Sequence, residues 1–116
     1  MQPLRIKIAT DFSDRPGPRY IKEGKNSGEL FRKEILIGKY REAKEKGTQL
    51  IVDLDGTRGY GTSFLEEAFG GLIREENESY KEILDTIEII SDEEDFLKDD
   101  ISFYLKDAFE DKEKEK

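Results

Sequence analysis

At 116 residues the chain has room for one domain. With 34% hydrophobic residues against 41% charged, its core must be modest and its surface heavily solvated. A formal net charge of −8 repels phosphate backbones and no basic stripe stands out, which argues against nucleic acid as a partner.

The chain has no histidine and no cysteine. That excludes disulfides, thiol chemistry, histidine general bases and the usual ligands of zinc. Any metal would be a hard cation such as Mg²⁺ held by carboxylates. No apolar run approaches the roughly 20 residues that cross a bilayer. The first ten residues, MQPLRIKIAT, lack the basic-then-apolar layout of a signal peptide. No membrane contact is expected, and the cytoplasm is the expected location.

Leu4, Ile6 and Ile8 alternate with Arg5 and Lys7, the period-two pattern of a half-exposed strand. Pro16, Gly17 and Pro18 interrupt regular structure, and Arg19 to Lys22 reads as a short second strand. Asn26 and Glu29 have the spacing of a capping box. The helix they open places Phe31, Ile35, Leu36, Tyr40 and Ala43 on its apolar face, with Arg32 among the outer residues, and Gly47 ends it. Gln49 to Leu54 reads as a buried strand.

Ser63 and Glu66 form a second capping box after the loop Gly56 to Gly61. Leu65, Ala68, Phe69, Leu72 and Ile73 give that helix an apolar face, and the pair Gly70-Gly71 predicts close approach of a neighbouring backbone. Ile83 to Ile90 holds a strand with Ile87, Ile89 and Ile90 as its core, and Ser91 with Glu94 reads as a third capping box. Leu97, Ile101, Tyr104, Leu105 and Ala108 mark a last helix. The apolar-free run 110–116 is expected to be a frayed, disordered tail. The predicted order is β–β–α–β–α–β–α: one domain over residues 1–109, with a small mixed sheet of about four strands and three helices packed on it, at the border of α/β and α+β.

Two stretches carry candidate chemistry. The apolar strand ending in Asp53-Leu54-Asp55-Gly56-Thr57 resembles the first motif of haloacid-dehalogenase-type phosphatases. That resemblance implies Asp53 as nucleophile, Asp55 as proton shuttle and Mg²⁺ beside them. Against it, Asp99, Asp100 and Lys98, which would complete the site, fall inside the last predicted helix instead of at strand ends. Without that support, Asp55-Gly56 is the turn that follows a strand.

The second stretch is broader. DFS at 11–13, PGPRY at 16–20, EGKNSGELFR at 23–32, VDLDG at 52–56 and TSFLEEAFGGL at 62–72 together resemble STAS domains, named for sulphate transporters and anti-sigma-factor antagonists. They most resemble the STAS-like domain family of unknown function, over most of the chain up to about Ser91. In STAS antagonists a serine at the start of the helix after the central strand is phosphorylated by a histidine-kinase-type ATPase that acts on serine, and the phosphate selects the partner.

Ser63 holds the corresponding position, with Thr62 before it. Gly61 and Phe64 depart from the acidic residue and the glycine that usually flank it. The resemblance implies a non-enzymatic interaction module without a cofactor, acting as monomer or homodimer in a regulatory or defence setting. Its partner-facing loop would draw on Arg19, Ser27, Gly28, Glu29, Arg58, Tyr60 and Phe64. An N-cap role for Ser63 is compatible with that reading.

Overall fold

The computed structural model describes residues 2–115. Strand β1 (Leu4–Lys7) runs into a single helical turn, α1 (Ile8–Asp11). Helix α2 follows as three unbroken segments: an α turn Gly28–Phe31, a wider π-wound stretch Arg32–Leu36 and an α segment Ile37–Lys46. After β2 (Leu50–Asp53), helix α3 repeats that plan with Thr62–Leu65, π-wound Glu66–Gly70 and Gly71–Arg74. Helix α4 (Tyr80–Thr86) leads directly into β3 (Ile87–Ile90), and α5 (Phe96–Lys114) closes the chain.

Three strands form the sheet among the described residues, in the order β1-β2-β3 and all parallel. The mixed α/β character matches the expectation; a mixed sheet of four strands does not. Leu4, Leu50 and Ile87 stand in one row and Ile6, Val52 and Ile89 in the next. These side chains join the core, whereas Arg5, Lys7 and Glu88 alternate away from it. Helices α2, α3 and α5 bring Phe31, Leu36, Tyr40, Phe69, Leu72 and Leu105 against them.

The missing strand is the segment Arg19–Lys22. Its place is taken by a 3-10 turn, Ile21–Glu23, because the Glu23 carboxylate turns back to accept the Tyr20 backbone N–H at 2.9 Å. The expected strand Ile83 to Ile90 divides in two. Ser79 accepts a bond from Glu82 N–H and starts α4, which buries Ile83, so only Ile87–Ile90 enters the sheet. Of the expected tail 110–116, the run 110–114 is helical, and Lys116 lies outside the described residues. Lys112 ties the run down, its ammonium donating to the Ile73 carbonyl at 2.8 Å and to the Asn77 side chain.

The starts of α2 and α5 differ by one or more residues from the spacing signals. Ser27, not Asn26, caps α2: its hydroxyl accepts Leu30 N–H at 3.0 Å, while Asn26 sits in the left-handed region. Ser91 donates to the Glu94 carbonyl at 2.6 Å within the connection, and α5 begins only at Phe96.

Close backbone approach occurs at a different glycine from the expected pair. A Cβ on Gly28 would collide with the Phe64 carbonyl and lie 3.1 Å from its Cα, so α2 and α3 touch there backbone to backbone. At Gly71 the neighbour is a side chain, with the Arg32 guanidinium carbon 2.9 Å from where a Cβ would stand. Gly28→Ala is therefore expected to destabilise the protein by about 1–3 kcal/mol. Gly38→Ala, in the middle of α2 with nothing within 4 Å, should stabilise it by roughly 0.5–1 kcal/mol. Chemical denaturation of the two variants checks the contrast.

Candidate functional site

The loops that leave the C-terminal ends of β2 and β3 are pinned to each other by carboxylates. Asp53 accepts Asp55 N–H at 2.9 Å through one oxygen, and its other oxygen lies 3.3 Å from the Lys7 ammonium. Asp55 accepts Asp92 N–H at 3.1 Å and Glu93 N–H at 3.0 Å, and Glu93 in return accepts Gly56 N–H. Both aspartates thus serve as local caps on backbone donors. No group of three or more acidic side chains suited to a metal ion occurs among the described residues. Lys98, Asp99 and Asp100 lie within α5, as the sequence indicates.

Beyond these caps the loop turns toward α3. Arg58 donates its backbone N–H to the Asp14 carbonyl at 2.8 Å, and its side chain is 68% exposed. Tyr60 is half-buried and its hydroxyl donates to the Leu54 carbonyl at 2.8 Å. Burial pushes that hydroxyl above the ordinary tyrosine range, with the carboxylates of Asp53, Asp55 and Glu93 adding to the effect.

Phe64 is fully buried. Its ring stacks on Phe31 at 5.9 Å and meets Phe12 at 6.1 Å and Tyr60 at 5.8 Å. This is a core cluster, so Phe64 does not face a partner. Ser27 and Gly28 are buried as well. Glu29 accepts Ile21 N–H at 2.9 Å and pairs with Lys33 at 3.1 Å. These three residues build the junction between the 15–27 segment and α2, and the expected partner-facing loop loses them.

The hydroxyls at the head of α3 are in the opposite situation. Thr62 and Ser63 are exposed, and the cap position is Gly61. Ser63 is the second helical residue, and its hydroxyl has no hydrogen-bond partner among the described residues. The expected capping box with Glu66 is absent because Glu66 is drawn elsewhere. Its carboxylate pairs with Arg74 at 2.7 Å and 3.1 Å and with Arg19.

That pairing belongs to a cluster the spacing of the sequence did not disclose. Arg32, expected on the outer face of α2, is 1% exposed. Its guanidinium reaches the Glu67 carboxylate at 2.6 Å, the Glu67 carbonyl at 2.8 Å and Glu76 at 3.1 Å. Glu67, itself 3% exposed, is also within 3.4 Å of Arg19 and 3.3 Å of Arg74. Arg19 is thus a partner of α3 itself. The one sequence signal for this cluster is the acidic pair Glu66-Glu67 on an otherwise apolar helix.

Three parallel strands joined through helices, with an exposed serine in the first turn of the helix after the central strand, make a small α/β module. The chain belongs to the STAS-like domain family of unknown function, DUF4325, whose model matches residues 27–96, more than half of its length. No curated protein and no solved structure matches it. No helix among the described residues is long and apolar enough to cross a membrane.

Two predictions follow from this geometry. Ser27→Ala should cost about 1 kcal/mol of stability, whereas Ser63→Ala should lie within roughly 0.5 kcal/mol of the wild type, since of these two serines Ser27 alone caps a helix. Urea titrations of both variants decide this. The second concerns acid. Burial pushes Glu66 up, but Arg74 and Arg19 outweigh it and hold the carboxyl below its ordinary value; Glu78 is held down likewise against burial by Lys44 and Arg41. Between the folded and ordinary values the unfolded chain binds more protons, so stability rises with pH there and is lost on acidification. The urea midpoint is expected to fall as pH drops below about 4.5, and more shallowly in Glu66→Gln.

Proposed function

We propose that this chain is a non-enzymatic regulatory module that docks a protein partner through the first turn of α3 and the loop before it, under control of a phosphate on Ser63. The partner class is a histidine-kinase-type ATPase that phosphorylates serine. The observation that carries the reading is the state of Ser63: exposed, at the head of a helix, with a hydroxyl that no cap occupies.

The physical chemistry of a switch at this point is favourable. A phosphate adds close to two negative charges. In the first turn of α3 it meets backbone N–H groups without intrahelical acceptors and the positive end of the helix dipole. Exposed Thr62 precedes it in the same turn, and exposed Arg58 lies on the preceding loop, whose base is fixed by the Asp55 and Tyr60 hydrogen bonds. A partner surface built this way presents charge on a rigid platform, so adding phosphate changes recognition without unfolding the domain. The module needs no cofactor, and Asp53 and Asp55 act as loop caps.

A histidine-kinase-type ATPase that acts on serine, incubated with this protein and radiolabelled ATP, is expected to label Ser63 and to leave Ser63→Ala unlabelled. Titration calorimetry should show Ser63→Asp weakening the complex by about tenfold or more. No label on Ser63, together with an unchanged affinity for Ser63→Asp, would overturn the reading.

A further inference from the structure

We propose that Arg19 is the side chain that receives a phosphate on Ser63, exchanging its present carboxylate partners for it. This rests on Ser63 being the modified hydroxyl and names the group that responds. In the modification, Ser63 Oγ bonds to the terminal phosphorus of a nucleoside triphosphate, the nucleoside diphosphate leaves, and the hydroxyl proton passes to solvent.

The argument begins with spacing. Ser63 precedes Glu66 by three residues and Glu67 by four, and the Glu66 N–H bonds back to the Ser63 and Thr62 carbonyls, so the winding there is helical. Side chains at those separations are neighbours, with Cβ atoms about 5–6 Å apart. Arg19 holds both carboxylates with one nitrogen, Glu66 closely and Glu67 at 3.4 Å. The Glu66 carboxylate lies over Gly70, whose Cβ would stand 2.6 Å from it, so the guanidinium now sits beside the second turn of α3 and must swing back toward the first to meet Ser63.

The backbone that carries this side chain is held at the first turn of α3. The Arg19 carbonyl accepts Glu29 N–H at 3.0 Å and the Pro18 carbonyl accepts Gly28 N–H at 2.9 Å. Gly28 in turn presses on the backbone of Phe64, the residue after Ser63.

Exchange is permitted because each carboxylate has a second arginine. Glu66 keeps Arg74 through two bonds, and Glu67 keeps Arg32 at 2.6 Å and Arg74 at 3.3 Å. Arg19 can leave without orphaning either one. The other two cannot take its place: Arg32 is buried among Glu67 and Glu76, and Arg74 lies about three turns further along the helix. Arg19 is 29% exposed, so its planar fork has room to turn. A phosphate dianion is the stronger acceptor for such a fork.

The test uses the full chain with phosphoserine inserted at position 63 during translation, in the wild-type and Arg19→Gln backgrounds, with phosphorus NMR following the phosphate as pH is varied. The second ionisation, ordinarily near about 6, is expected to shift down by roughly half a unit or more with Arg19 present and to return in Arg19→Gln. Equal titration curves overturn the proposal. Should Arg19→Gln fail to fold, the wild-type protein decides alone. The Arg19 side-chain N–H resonance must move on phosphorylation while that of Arg32 stays, and an unmoved Arg19 resonance overturns the proposal. Because no kinase is used, this outcome is independent of the labelling experiment that tests Ser63 as a natural substrate.

Discussion

The structure depends on the crossing of α2 and α3, where the Arg32 guanidinium is buried against Glu67. Burying an ion pair carries a desolvation penalty that its Coulomb attraction alone does not always offset. Here further hydrogen bonds do so: Arg32 also donates to the Glu67 carbonyl and to Glu76, and Glu67 has Arg19 and Arg74 beside it. Gly71 leaves the space the guanidinium occupies, and Gly28 lets the two backbones meet one turn away from it. Both helices are π-wound at this point, Arg32 in one widened stretch and Glu67 in the other. The crossing is thus set by charge geometry and absent side chains together, with the Phe12, Phe31 and Phe64 rings packed beside it.

Everything near Ser63 takes its position from that crossing. The 15–27 segment is tied to α2 through Gly28 and Glu29 and to α3 through Arg19. The 54–61 loop is held from the other side by Asp55, Tyr60 and the backbone of Arg58. Between these two supports α3 starts on a glycine cap and leaves its first hydroxyls in solvent. The resemblance of Asp53 and Asp55 to a phosphatase motif has an ordinary physical source. A carboxylate just past a parallel strand is well placed to cap the backbone of the next loop, and the same spacing serves both ends.

Much of this was legible in the residues. The first strand from Leu4, the central strand within Gln49 to Leu54, the helix closed by Gly47 and the apolar face of α5 all follow from periodicity and caps, although Ile8, which continues the alternation, opens a helical turn. The family resemblance spread over the matched segments was legible too. The segment Ile83 to Ile90 shows where such reading stops. Short apolar runs fit a helix or a strand equally well by pattern, and the Ser79 cap together with pairing to β2 divides this one at Ile87. Ser63 and Glu66 have the spacing of a capping box, yet Glu66 finds two arginines instead. A charged residue takes the strongest available partner, and that partner lay outside the local window.

By itself, then, the sequence determined what local spacing controls: the mixed α/β character, most of the apolar core positions and the placing of a serine at the start of the helix after the central strand. The tertiary structure alone decided which charges are buried and which side chains are free. Arg32 became a core residue, Phe64 turned inward, Arg19 was drawn to α3, and Ser63 was left without a cap to make. The reason is that ion pairs and aromatic contacts join residues dozens of positions apart. Their energies depend on burial that exists only once the helices have crossed.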